Sequence, residues 1–256
     1  MHIPTLAPEI LFQIKNFPIT NTMVNAWLAI LIFLILGIII TKTVKLKPGK
    51  FQNGCEFFLE GLLGYFDQVT AERKRTLKFL PIVGTIFFFI LLSNWLGLMP
   101  GTGSITVGHN MLFRPANTDL NLTVVMALVA VFSSHIFGIV TVGVFTHLNK
   151  FIQIGTLIKS IKKGPIAIFT AIIELGVGVI EIVSEIAKVL SLSLRLFGNI
   201  FAGEVLISVI ASLVCLIVPT PFMLLELLVG IIQASVFAML ALVYLTVMTT
   251  EPQEEH

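Results

Sequence analysis

Five long apolar runs, separated by polar and basic segments, organise this chain of 256 residues. The first runs from Val24 to Ile40, the second from Phe79 to Met99, the third from Leu122 to Phe145 and the last from Phe222 to Met248. Roughly 20 apolar residues cross a hydrocarbon core as a helix, so each of these reads as one span. The fourth run, Ile166 to Val218, holds 53 residues and is too long for one upright helix. It is either two spans with a short break or a strongly tilted helix with a re-entrant start.

The segments between the runs are equally distinct. TKTVKLKPGK follows the first run, and FQNGCEFFLEGLLGYFDQVTAERKRTLK mixes acids and bases with aromatics. That mixture predicts a helix lying along the interface. PGTGSITVGHNMLFRPANTDLN reads as a loop. HLNKFIQIGTLIKSIKKGP reads as a second basic loop, and PTP at Pro219–Pro221 as a tight turn. The first 20 residues lack a basic leader and no small-residue cleavage site follows, so the first run is expected to be retained. The expected fold is all-α: one polytopic membrane domain over 1–256, with five to six membrane segments, an interfacial amphipathic helix and a long tilted helix hairpin in the C-terminal half.

Composition excludes an ordinary soluble domain. Mean hydropathy is +1.01. Charged residues make up 12% of the chain, against about 25% in soluble domains. Cys55 and Cys215 lie far apart and read as free thiols. The five histidines show no metal-ligand spacing, and no GxxxxGK[ST] phosphate loop occurs. Neither a metal nor a cofactor is expected, nor a nucleic-acid partner. Of 16 Lys and Arg, eight lie between the first two runs and Lys150, Lys159, Lys162 and Lys163 follow the third. With one crossing per run, these twelve share one side, which the positive-inside rule makes cytoplasmic. The N-terminus and the Arg114 loop lie opposite.

Charges inside the apolar runs narrow the function. Arg195 stays protonated at physiological pH. Placing it near a bilayer centre costs about 2.5–3.5 kcal/mol on insertion scales. Such a residue faces an ion path or a buried acid more often than lipid. Glu174, Glu181, Lys188 and Arg195 are each seven apart and share one helix face with slight drift. Ser184, Ser191 and Asn199 fall on or beside that stripe. It is either a polar helix–helix seam or a hydrated path ending at Arg195.

Glu204, nine residues beyond Arg195, falls on the opposite face. Glu226 and Gln233, seven apart, share a face of the last run. An antiparallel turn at PTP brings Glu226 near Glu204, where two acids could share one proton; the alternative is two acids separately facing water. Two offset polar routes with a fixed cation between them suit a device that passes protons to a moving carboxylate on a partner.

LSLSLRLFGNIFAGE at Leu190–Glu204, RPANTDLN at Arg114–Asn121 and LVGIIQASVFAMLALVYL at Leu228–Leu245 together resemble the subunit a family of the Fo sector of rotary ATP synthases. The resemblance spans nearly the whole chain, and RLFGN is highly specific to it. It implies a non-catalytic stator subunit packed against the ring of c subunits, within a complex that also holds peripheral stalk b subunits and a soluble ATPase head. It implies an energy-coupling membrane, the plasma membrane of a bacterium. By motif position it makes Arg195 the essential arginine. It makes Asn199, Glu204 and Gln233 polar channel positions, and it matches Ser191, Glu181 and Asp119 to family polar positions. Gly198 and Gly203 are implied to admit the ring closely. Many bacterial members pair an acid at the Glu204 position with histidine at the Glu226 position; here both are Glu, so the expected relay is a carboxyl–carboxylate pair. Selection between proton and sodium is expected mainly from ring residues outside this chain.

Two other classes fit less well. A secondary transporter usually shows two similar halves, and the first half has no counterpart to SLRLFGN. A passive scaffold needs no arginine within its span.

Overall fold

A computed structural model describes residues 5–15, 17–99, 106–107, 110–151, 165–213 and 218–250. Strands β1 (Ile10–Ile14) and β2 (Phe17–Thr20) form an antiparallel hairpin that leads into helix α1 (Asn21–Thr43). Helix α2 (Lys50–Thr70) and helix α3 (Arg73–Leu98) follow. A two-residue strand pair, β3 (Thr106–Val107) with β4 (Asn110–Met111), and a 3-10 turn at Ala116–Thr118 precede helix α4 (Leu120–Val142). Helices α5 (Val144–Phe151), α6 (Pro165–Leu213) and α7 (Pro219–Thr249) complete the described chain. The all-α expectation holds for the membrane part, and the two small strand pairs are additions to it.

Five of these helices are long and apolar enough to cross a membrane: α1, α3, α4, the Gly176–Leu213 part of α6, and α7. The fourth apolar run is one continuous helix of 49 residues, roughly 74 Å long at 1.5 Å per residue. The tilted helix is therefore the outcome, and a break into two spans is not. Pro219 begins α7 instead of making the turn. A proline in the first helical turn removes an N–H that has no partner there anyway; residues 214–217, which precede it, lie outside the described residues. The third span also ends early. Gly143 adopts a positive φ of 92°, which a side chain tolerates poorly, and α5 takes up the start of the segment read as a basic loop. Lys159, Lys162 and Lys163 lie outside the described residues.

Helix α7 is the hub, packing against α2, α3, α4 and α6. Its small residues Gly230, Ala234, Ala238 and Ala241 fall on one buried face, which lets neighbouring backbones approach closely. Phe66 of α2, Val83 and Ile90 of α3, Ala127 of α4 and Leu192 and Leu196 of α6 fill the core around Phe237, Leu242 and Leu245. Elsewhere Leu34, Ile38, Phe132 and Ile180 point outward, as suits helices solvated by lipid. Helix α1 is buried mainly near its start, at Asn21, Thr22, Asn25, Ala26 and Ala29.

Helix α2 is the interfacial element. Leu62, Leu63 and Phe66 are buried against the bundle, while Phe51, Phe57 and Phe58 are exposed. Its end is tied to α3 around Asp67. Thr76 Oγ1 donates to Asp67 at 2.5 Å and Arg73 Nη1 at 2.7 Å, and Arg73 Nη2 reaches Glu60 at 2.6 Å. Ala71 adopts the left-handed conformation that closes the helix.

Polar residues knit the opposite end of the bundle. Asn25 Nδ2 donates to the Arg114 carbonyl at 2.7 Å, Asn117 Nδ2 to Asn94 Oδ1 at 2.7 Å, and Trp95 Nε1 to the Leu227 carbonyl at 3.4 Å. Asn117 and Thr118 are fully buried, so this stretch of the predicted loop is an interior element. In a lipid environment backbone polar groups need partners within the protein, and these asparagines supply them.

Gly97 is where α3 meets this segment. A Cβ there would stand 2.7 Å from Pro115 Cα and overlap its ring. Gly97→Ala is expected to destabilise the protein by about 1–3 kcal/mol, the usual range for overpacking, read as a lower thermal midpoint in detergent. The hydrogen bond from Thr76 and the neighbouring Arg73 guanidinium hold the Asp67 carboxyl below its ordinary value, against some desolvation. A lowered native value contributes stability above the unfolded value of about 3.9, lost as pH falls through the native one. Wild type should therefore melt above Asp67→Asn at pH 6, and the gap should close as the pH drops below about 4.

Candidate functional site

Helix α6 has two unlike faces. Leu192, Ser193, Leu196, Ile200 and Gly203 are buried, a helical repeat of three and four that packs on α4 and α7. Ser191, Arg195 and Asn199, spaced by four, lie together on the exposed face beside Gly198 and Ala202. Arg195 Nη2 donates to Ser191 Oγ at 3.4 Å. Among the described residues no acid forms an ion pair with Arg195. The result is a fixed cation presented outward from an apolar helix. A Cβ on Gly198 would meet nothing within 4 Å, which leaves that face open to close approach.

The seven-residue stripe divides. The Glu174 side chain lies outside the described residues, and Glu181 is half-buried one turn before Glu185. Lys188 turns to Glu185 at 2.6 Å instead of to another stripe member. His135 of α4 reaches the other oxygen of Glu185 at 3.3 Å.

Glu204 lies round the helix from Arg195 and meets a different cation. Arg114 Nε donates to both of its carboxylate oxygens at 2.9 and 3.0 Å, and Arg114 Nη2 adds a third bond at 2.9 Å. Two more guanidinium hydrogens go to the Thr5 and Ala7 carbonyls at 2.8 and 3.3 Å. Arg114 is 5% exposed, and its fork satisfies both charges where water is scarce. Phe201, stacked on Phe197, lies over the same guanidinium.

Glu226 of α7 is 5% exposed. Its carboxylate packs directly on Gly203, so a Cβ at that position would collide with it. The antiparallel arrangement thus brings Glu226 next to the residue preceding Glu204. Glu204 nevertheless spends its oxygens on Arg114, and among the described residues Glu226 Oε1 is buried without a hydrogen bond. Gly203 accordingly lies under Glu226, not on the open face implied for it. Gln233 is half-buried two turns further along α7. Asp119 takes a capping role: its side chain accepts from Asn121 N at 2.9 Å at the start of α4 and from Thr22 Oγ1 at 3.2 Å.

Two features were not singled out from sequence. Arg114 belongs to a recognised motif, but its partner is 90 residues away. The signal for it was charge balance, because the nearest cation in the same run, Arg195, falls on the opposite helix face from Glu204. The His135–Glu185 contact joins residues 50 apart with no local spacing to announce it. Among the described residues no cluster of His, Cys, Asp or Glu could hold a metal ion.

Comparison with known proteins converges on one family. Residues 23–246 match the family described as ATP synthase A chain. A protein of Moorella thermoacetica named ATP synthase subunit a is 30% identical over 239 residues, covering 93% of this chain and 94% of that protein. Proteins of the same name from Geotalea daltonii and Geobacter sulfurreducens are each 33% identical over 225 residues, covering 88% of this chain and 86% of theirs. With its match across nearly all of the membrane bundle, the chain belongs to the ATP synthase A chain family.

Proposed function

We propose that this chain is the stator half of the membrane proton channel of an F-type ATP synthase, passing protons to and from a rotating ring. The observation that carries the reading is the Ser191–Arg195–Asn199 strip on the open face of α6, whose other face is buried in the bundle. A guanidinium in an apolar span is costly unless a protein partner or water meets it. A ring of c subunits bearing a carboxylate supplies such a partner.

Arg195 favours the ionised form of a carboxylate that approaches it. A carrier arriving protonated therefore gives up its proton there, and a fixed positive charge opposes protons passing straight through. Glu204 and Glu226 lie off that face, toward the Arg114 end, and form the entry side. For a proton to occupy Glu204, the Arg114 fork has to release one carboxylate oxygen. Asn199, Gln233 and Ser191 line the polar way between, with Glu181 on the opposite branch. Asp119 acts by holding the start of α4 beside Thr22.

The chain is a component of a complex, and its chemistry is movement of protons; ATP turnover is assigned to the soluble head. Peripheral stalk b subunits are the expected partners of the remaining lipid-facing helices. The membrane is a bacterial plasma membrane with the basic segments cytoplasmic and the β1–β2 hairpin outside.

Arg195→Ala is expected to abolish ATP-driven acidification of inverted membrane vesicles while complex content, checked by blotting, stays normal. Wild-type pumping by a correctly assembled variant would remove the mechanism. Glu204→Gln and Glu226→Gln should each slow pumping partially, and the double variant by about a hundredfold or more, the lower range for losing a positioned proton-transfer group. A double variant as fast as wild type would exclude both acids from the path.

A further inference from the structure

On the basic-segment side, four titratable side chains from three helices form an unbroken chain. His147 of α5 is 2% exposed, and its Nε2 lies 3.2 Å from His135 Nδ1 of α4. His135 Nε2 lies 3.3 Å from Glu185 Oε2 of α6, and Glu185 Oε1 accepts from Lys188 Nζ at 2.6 Å. Lys188 sits 5.2 Å above the Tyr244 ring of α7. Among the described residues, Glu181, one turn from Glu185, and Lys78 of α3, above the Phe137 ring, are further charged groups near this chain.

We infer that His147, His135, Glu185 and Lys188 form a proton relay that connects the basic-segment side of the membrane with the Arg195 face. This deepens the stator reading and rests on it, naming the residues of one of its two routes.

The geometry fits transfer better than static support. Two imidazole nitrogens at hydrogen-bond distance need one donor and one acceptor, so both rings cannot be imidazolium in this arrangement. A proton added at His147 Nδ1 is balanced when His147 Nε2 gives its own to His135 Nδ1. His135 Nε2 then passes one to Glu185 Oε2. Each imidazole gains one proton and loses one, Glu185 holds the transferred proton until it passes it on, and no bond between heavy atoms changes. Lys188 holds the other carboxylate oxygen and so fixes the acceptor's orientation. Beyond Glu185 the route follows Lys188 and Ser191 along α6. Glu185 and Arg195 are ten residues apart, roughly 15 Å of helix.

The entry end is built as carefully. A Cβ on Gly138 would stand 2.9 Å from His147 Nδ1 and from the Met248 carbonyl. Glycine at 138 therefore allows the imidazole to settle between α4 and the end of α7. Helix α5 leads directly into the segment at 152–164, which contains Lys159, Lys162 and Lys163.

The test uses the intact complex in inverted vesicles, with the basic-segment side facing the medium and ATP-driven pumping expressed relative to the uncoupled ATPase rate. His135→Gln and Glu185→Gln are each expected to lower pumping at least about tenfold near neutral pH. Both should flatten its dependence on medium pH. Glu185→Asp should restore part of the rate and the pH profile, which a purely structural role would not require. Gly138→Ala, which displaces His147 without removing a titratable group, should give an intermediate defect. Wild-type rates and an unchanged pH profile in both Gln variants, with Arg195→Ala inactive in parallel, would overturn the relay and leave the stator reading standing. An active Arg195→Ala would instead bring down the stator reading itself.

Discussion

A charge surrounded by hydrocarbon has to be paired, hydrated or met by another protein, and that constraint sorts every cation in this bundle. Arg114 is buried and locked to Glu204 by a three-bond fork. Lys188 is tied to Glu185 and covers an aromatic ring. Arg195 alone among these three has no acid in ion-pair contact among the described residues, and it lies exposed. Two solved problems and one open one lie on or against the same helix. The open one is left for water or a second protein to meet, and the rest of the bundle holds it in place.

Helix α7 does most of that holding. Its small-residue seam admits α3 so closely that Gly230 meets Asn94 and Trp95. Without a hydrophobic force between helices in lipid, such close packing and interhelical hydrogen bonds carry the association. The asparagines at 25, 94 and 117 then brace the segment that delivers Arg114 to Glu204. The position of one guanidinium thus depends on a glycine at 97, a proline at 115 and three buried amides.

The spans were legible because long apolar runs admit few other readings, and the shared face of Ser191, Arg195 and Asn199 because they are four apart. Continuity of α6 was not legible: hydrophobicity does not distinguish one strongly slanted helix from two upright ones. The Pro219 reading failed because proline signals both a turn and a first helical residue, and only the chain before it decides. The β1–β2 hairpin was missed because it is short and lies outside the lipid-driven pattern. Arg114–Glu204 and His135–Glu185 were beyond reach for a different cause. One joins an irregular segment to α6 and the other joins α4 to α6, and which side chains meet is set by packing, which no local spacing records.

The length of α6 has a consequence for timing. Its apolar part, Gly176–Leu213, holds 38 residues, roughly 57 Å, and fits a hydrocarbon layer of about 30 Å only with its axis near 60° from the normal. Ser191 and Asn199 are eight residues apart, about 12 Å along the axis, but at that slope only about 6 Å apart in depth. Serine, arginine and asparagine are thus spread sideways at nearly one level. A carboxylate carried round at fixed depth would meet them one after another, so the slant of a single helix turns a row in sequence into an order of events.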